Sequence, residues 1–168
     1  WIKEDLTVFN LPPTYILMVP GSSPQHPHKR WPPENYAALA SLLSERQIHP
    51  VLLGTAAESE VTGKIKSLCP SAIDLTGKTT LFQIAAMARN ACGAIGNDTG
   101  PIHLIAATSC PTLALFSGSS HKIKHAPQGK NVVILQEERL SDLDIKTVRA
   151  TAENLFKTKE LKPEKKSG

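Results

Sequence analysis

Ala91 to Pro111, A-C-G-A-I-G-N-D-T-G-P-I-H-L-I-A-A-T-S-C-P, passes from small apolar residues through a polar elbow into a helical pattern. Gly93 to Gly96 is short, small and apolar, as a strand covered on both faces must be. Asn97-Asp98-Thr99-Gly100 breaks the period with turn and cap residues, and Pro101 suits the first turn of a helix. That helix continues through His103 to about Thr108. The expected product is a strand, a polar elbow and a helix N-terminus whose free N–H groups favour an anion, most often phosphate. Each residue also has an ordinary reading. Asp98 is either an N-cap or a ligand contact, and His103 is either a core histidine or a site residue. Thr99 and Gly100 are common in turns. Their coincidence at one strand-to-helix corner favours a site, because open α/β sheets hold ligands there.

Upstream, Tyr15 to Val19 (Y-I-L-M-V) lacks alternation and is expected to be a central strand. Further strands are expected at Pro50 to Gly54, Ser71 to Leu75, Thr112 to Phe116 and Val132 to Leu135. Between them lie helical patterns. One opens at Pro32-Pro33, with Tyr36, Leu39, Leu42 and Leu43 at helical spacing, and one follows the Thr55–Glu60 turn and ends before Pro70. A third runs from Thr80 to Asn90 with Leu81, Ile84, Ala85 and Ala88 on one face, and a last from Ser141 to about Phe156. This alternation predicts an α/β fold, a doubly wound, Rossmann-like parallel sheet with helices on both faces. Residues 1–14 read as a linker or the remnant of a missing domain, 15–156 as the domain, and 157–168 as a Lys-rich tail.

The 168 residues suffice for one domain with a substantial core, and Trp1 in place of Met leads us to expect a fragment or a processed chain. The net charge is +4, but residues 157–168 hold five Lys against two Glu, so the remainder is nearly neutral. A duplex binder more often carries its charge as a stripe across the fold, so no nucleic-acid partner is expected. Apolar runs are too short to span a bilayer, which leaves at most weak peripheral contact through the basic end. Cys69, Cys92 and Cys110, odd in number and apolar in setting, read as reduced thiols of a cytoplasmic protein.

In a doubly wound sheet the loops after successive strands line one edge. Here they carry Ser22, Ser23, Lys29 and Arg30, then Thr55 and Glu58, then Asp98, Thr99, Gly100 and His103. Hydroxyls, a Lys and a helix N-terminus suit a diphosphate, and a carboxylate one loop away suits ribose hydroxyls. Neither G-x-G-x-x-G after the first strand nor G-x-x-x-x-G-K-[ST] is present, which disfavours a dehydrogenase or a P-loop NTPase. No cluster has metal-ligand spacing; H-P-H at 26–28 reads as loop, and no metal is expected. Ser117-Gly118-Ser119-Ser120 lacks the nucleophile elbow, and Trp31 reads as a packing anchor.

P-G-S-S at 20–23, K-R-W-P-P-E-N-Y at 29–36, L-L-G at 52–54, D-L-T-G-K-T-T-L at 74–81, G-N-D-T-G-P-I-H-L-I-A-A at 96–107 and P-T-L-A-L-F-S-G at 111–118 come in the order of one family. Over roughly residues 15–140 the chain resembles the C-terminal, donor-binding half of family 9 glycosyltransferases, the lipopolysaccharide heptosyltransferases that use ADP-heptose. The resemblance implies a two-domain GT-B enzyme with its active site between two Rossmann-like halves. Heptose would move from ADP-heptose to the lipopolysaccharide inner core with inversion and without a metal or cofactor. It implies that Ser22 and Ser23 stand at donor-phosphate positions, that Lys29 meets the diphosphate, and that Glu58 takes the ribose. Asp98 falls where a carboxylate contacts heptose, Thr99 and Gly100 where backbone faces phosphate, and His103 on a donor-site position. Lys29 and Asp98 are thus the expected catalytic groups here, and the general base belongs to an N-terminal acceptor half, missing or separate. By the same resemblance this chain alone is inactive and works in the cytoplasm, at most peripherally at the inner membrane. Two alternatives stay open: a GT-B domain for another nucleotide sugar, and a non-catalytic nucleotide-binding or scaffold module.

Overall fold

In a computed structural model, which describes residues 3–21, 30–118 and 129–160 (backbone only for 157–160), the Tyr15–Val19 run is β1 and every residue of it is buried. It lies between β2 (His49–Leu52) and β4 (Gly93–Asn97), parallel to both. With β3 (Ile73–Asp74), β5 (Thr112–Ser117) and β6 (Val132–Glu137) the sheet has six strands in the order β3-β2-β1-β4-β5-β6, all parallel. The expected doubly wound, Rossmann-like sheet is therefore present. Its order reverses between β1 and β4, and a crevice forms at the carboxyl edge of such a junction.

Period-two alternation sorts β1 between two cores. Ile16 and Met18 face the layer of α1 (Pro33–Glu45), α2 (Ser59–Leu68) and α5 (Ile145–Glu160), where Trp31, Tyr36, Leu39, Ile65 and Phe156 pack. Tyr15, Leu17 and Val19 face α3 (Leu81–Asn90) and α4 (Gly100–Ala107), with Ile84, Met87, Ile102 and Ile105. β4 is covered on both faces, as its small residues predict, and the Phe156 ring of α5 lies where a Cβ on Gly93 would sit.

Several boundaries differ from expectation. β2 starts at His49, with Pro50 inside it, paired with Ile16. The strand tolerates this because the N–H groups of His49 and Leu53 point to β1, so the nitrogen of Pro50 faces β3, which begins only opposite Val51. Ser141 does not start the last helix. Leu140–Asp142 is a single 3₁₀ turn, and Asp144 then starts α5 by accepting from Lys146 N at 3.2 Å. α5 continues past Phe156 to Glu160. Leu81, expected on the buried face of α3, is instead 63% exposed, because the helix buries Ile84, Met87 and Ala88. The opening segment carries a 3₁₀ turn at Thr7–Phe9, and its Leu6, Phe9 and Leu11 pack onto the second core. Cys69, Cys92 and Cys110 are free thiols, and Cys92 is only partly buried.

Candidate functional site

A cavity of about 640 Å³ opens at the carboxyl ends of β1 and β2, against the first turns of α3 and α4. The floor is Val19, Gly21, Leu53 and Gly54. One wall is the 3₁₀ turn Ala56–Glu58, which leads into α2. The Glu58 carboxylate folds back there and accepts from Thr55 N at 2.6 Å and from the Thr55 hydroxyl. It lies directly over Gly21 and Gly54, and a Cβ on Gly21 would overlap Glu58 Cγ. Absence of a side chain at Gly21 is what lets the carboxylate reach the end of β1.

The second wall comes from the loop before α3. Gly77 N donates to Gly54 O at 2.8 Å, which ties that loop to the end of β2. Thr80 caps α3: its hydroxyl accepts from Gln83 N at 3.1 Å, while Gln83 Oε1 accepts from Thr80 N at 2.9 Å. The cavity is completed by Thr99 and Pro101 at the start of α4. Thr99 sits in the N-cap position of that helix, yet its side chain makes no cap bond. Its Oγ1 is buried and has no hydrogen-bond partner among the described residues. The Gly100 and Ile102 amides in this first turn have no carbonyl to meet within the helix, and a Cβ on Gly100 would meet nothing.

Asn97 holds the corner. The sequence puts it among the turn residues, but it is the last residue of β4 and fully buried. Its Nδ2 donates to Pro20 O at 2.8 Å, and its Oδ1 accepts from Tyr36 Oη at 2.8 Å and Trp31 N at 3.2 Å. One amide thus ties the β1 loop, the α1 entrance and the elbow together. Burial pushes the Tyr36 phenol well above its ordinary pKa, so it stays a neutral donor to Asn97. Trp31 is the expected packing anchor: buried, edge-on to Tyr36, with Nε1 donating to Leu143 O at 3.0 Å.

Of the residues singled out from sequence, Thr55, Glu58 and Thr99 meet on the cavity wall. Asp98, Gly100 and His103 lie at the same elbow without lining the cavity. Asp98 is not a cap: its Oδ1 is 3.0 Å from His103 Nε2. Ser22, Ser23, Lys29 and the H-P-H segment lie outside the described residues. Gly77, Thr79, Thr80, Leu81 and Ile84 were not singled out as site residues, although D-L-T-G-K-T-T-L carried part of the family resemblance. No group of three or more His, Cys, Asp or Glu suited to a metal occurs among the described residues.

A six-stranded doubly wound sheet with a crevice beside its order reversal defines the class, an α/β domain that takes ligands at the carboxyl edge. The sequence profile of glycosyltransferase family 9 (heptosyltransferase) matches residues 3–152, and the chain belongs to that family. It is 32% identical over 99 residues to lipooligosaccharide heptosyltransferase 2 of Haemophilus influenzae, covering 56% of this chain and 29% of that one. It is 29% identical over 128 residues to the lipopolysaccharide core heptosyltransferase OpsX of the same organism, covering 73% and 36%. The fold superposes on E. coli ADP-heptose lipopolysaccharide heptosyltransferase II with a TM-score of 0.82 at 26% identity, over 92% of this chain and 50% of that one. The chain therefore spans about half of that solved structure and about a third of these two curated relatives.

Proposed function

We propose that the cavity binds the ADP part of ADP-heptose, and that this chain is the C-terminal, donor-binding half of an inverting heptosyltransferase of lipopolysaccharide core synthesis. The observation that carries this reading is the orphaned Thr99 Oγ1, a buried hydroxyl on the cavity wall beside an uncapped helix N-terminus. A buried polar group without a partner costs about 1–3 kcal/mol, and a phosphate oxygen would satisfy it. Family membership supports the chemistry, and a relative of the same fold is an ADP-heptose lipopolysaccharide heptosyltransferase.

We assign Glu58 to the ribose, because one carboxylate oxygen is held by Thr55 while the group lies on the cavity wall. Thr99 on the cavity wall takes the diphosphate, with Gly100 at the adjoining elbow, assisted by Lys29, Ser22 and Ser23. Asp98 takes heptose hydroxyls or steadies the positive charge that develops on the ring. As the sugar leaves, negative charge builds on ADP, and fixed donors stabilise it; losing one such donor raises the barrier by about 3 kcal/mol. In this reading Lys29 and the helix N-terminus do the work a metal does elsewhere, and no cofactor enters. The acceptor and its general base belong to the other half of the enzyme, so this chain alone turns nothing over. No described helix is long and apolar enough to cross a membrane, and we assign the work to the cytoplasm, with at most peripheral membrane contact.

Calorimetry and amide NMR with ADP, UDP and GDP test this. Saturable ADP binding with shifts at Glu58, Leu81 and Thr99 is expected. No response at millimolar ADP removes the donor-site assignment, and a preference for UDP overturns the choice of nucleotide.

A further inference from the structure

We infer that His103 is a positioning residue that acts on the donor sugar through Asp98 and does not touch the donor itself; this rests on the donor-binding reading above. The two side chains meet across the elbow, His103 Nε2 to Asp98 Oδ1 at 3.0 Å. Both backbones are anchored. Asp98 N donates to Leu115 O at 3.2 Å on β5, and His103 N donates to Thr99 O at 3.3 Å in the first turn of α4. Side chains on a helix lean toward its N-terminus, so the ring at the fourth helical position reaches back over the elbow. With both ends fixed, this contact sets the rotation of the carboxylate.

Chemistry assigns the direction of the bond. An ionised carboxylate only accepts, so Nε2 carries the hydrogen and is occupied by Asp98. Asp98 Oδ2 has no hydrogen-bond partner among the described residues, and it is the oxygen left for a ligand hydroxyl. The carboxylate is also the more enclosed partner, 15% exposed against 38% for the ring. Fold stability does not account for the pair. A partly exposed contact of this kind contributes little. What the ring does provide is a fixed partner for one oxygen of that carboxylate.

The test compares ADP-heptose with ADP, by calorimetry, on the wild-type chain, His103→Ala, Asp98→Ala, the double variant, His103→Gln and His103→Asn. His103→Ala is expected to weaken ADP-heptose about tenfold while changing ADP less than about twofold. The double variant should bind no more weakly than Asp98→Ala, since both changes remove one interaction. His103→Gln, whose amide nitrogen reaches the same point, should recover most of the loss, and the shorter His103→Asn should not. Without ligand, the ring ¹⁵N shifts of His103 should move in Asp98→Ala. Equal losses for ADP and ADP-heptose, or additive losses in the double variant, overturn the inference, as does a ring signal indifferent to Asp98. Should His103→Ala unfold, the Gln and Asn pair decides. Failure of the wild-type chain to bind ADP at all sinks the donor reading and this role together, whereas additivity with binding intact sinks only this role.

Discussion

Thr80 and Thr99 hold the same position, the N-cap, in the neighbouring helices α3 and α4, and both line one cavity. Both have extended backbones, with ψ of 164° and 165°. Their hydroxyls behave in opposite ways. Thr80 accepts from Gln83 N and is matched by the Gln83 side chain, so the start of α3 is closed. Thr99 caps nothing, and its buried hydroxyl has no partner among the described residues beside a helix start that lacks a side-chain cap. The closed end contributes to the fold. The open end costs stability, and the structure tolerates it only because neighbouring contacts fix the elbow from outside.

Asn97 supplies most of that fixing, and its removal should give the largest effect. Asn97→Ala leaves Tyr36 Oη, Trp31 N and Pro20 O without their buried partner. A loss of about 3–5 kcal/mol in urea unfolding is expected, with loss of ADP binding under conditions where the variant remains folded. If binding survives intact in the folded variant, the open helix end holds its shape without the Asn97 tie, and the contrast between the two threonines is purely local.

The parts that were readable from sequence are those set by periodicity. The unalternating Tyr15–Val19 run and the small residues of Gly93–Gly96 marked central strands because only a doubly covered strand tolerates such patterns. The N-D-T-G-P elbow was readable for its helix start, but not for which residue does what. Asn97 has the look of a turn residue, and only its partners on β1 and α1, distant in sequence, show it to be a buried tie. From sequence Asp98 reads equally as a cap or a ligand contact, since caps are local, whereas its contact with His103 needs the helix built first. The wall from Gly77 to Leu81 is not legible as a site for a similar reason. A short polar loop carries no period, and Leu81 fits an apolar face until α3 turns it outward.

Gly21 should give a smaller effect, on the wall opposite α4. A Cβ there would overlap Glu58 Cγ, so Gly21→Ala must push the carboxylate off that wall. The expected cost is about 1–3 kcal/mol of stability, measured by thermal or urea unfolding, with ADP affinity falling about tenfold. An unchanged affinity would mean that Glu58 serves only Thr55 and the turn into α2.

The smallest effects come from the two threonines themselves, and there the sign matters more than the size. Thr80→Val removes a satisfied cap and should cost about 1 kcal/mol, with Gln83 losing its reciprocal bond. Thr99→Val replaces an orphaned hydroxyl by a methyl of nearly the same shape, so stability should hold or rise by up to about 1 kcal/mol. Binding should rank the other way: Thr99→Val weakens ADP about tenfold, and Thr80→Val leaves it within about twofold. Urea melts and calorimetry on the two variants give both quantities. A variant at Thr99 that loses stability as Thr80→Val does would show the hydroxyl to be satisfied after all. The open end of α4 would then be an ordinary helix start, and a phosphate at this corner would find no orphaned donor to satisfy.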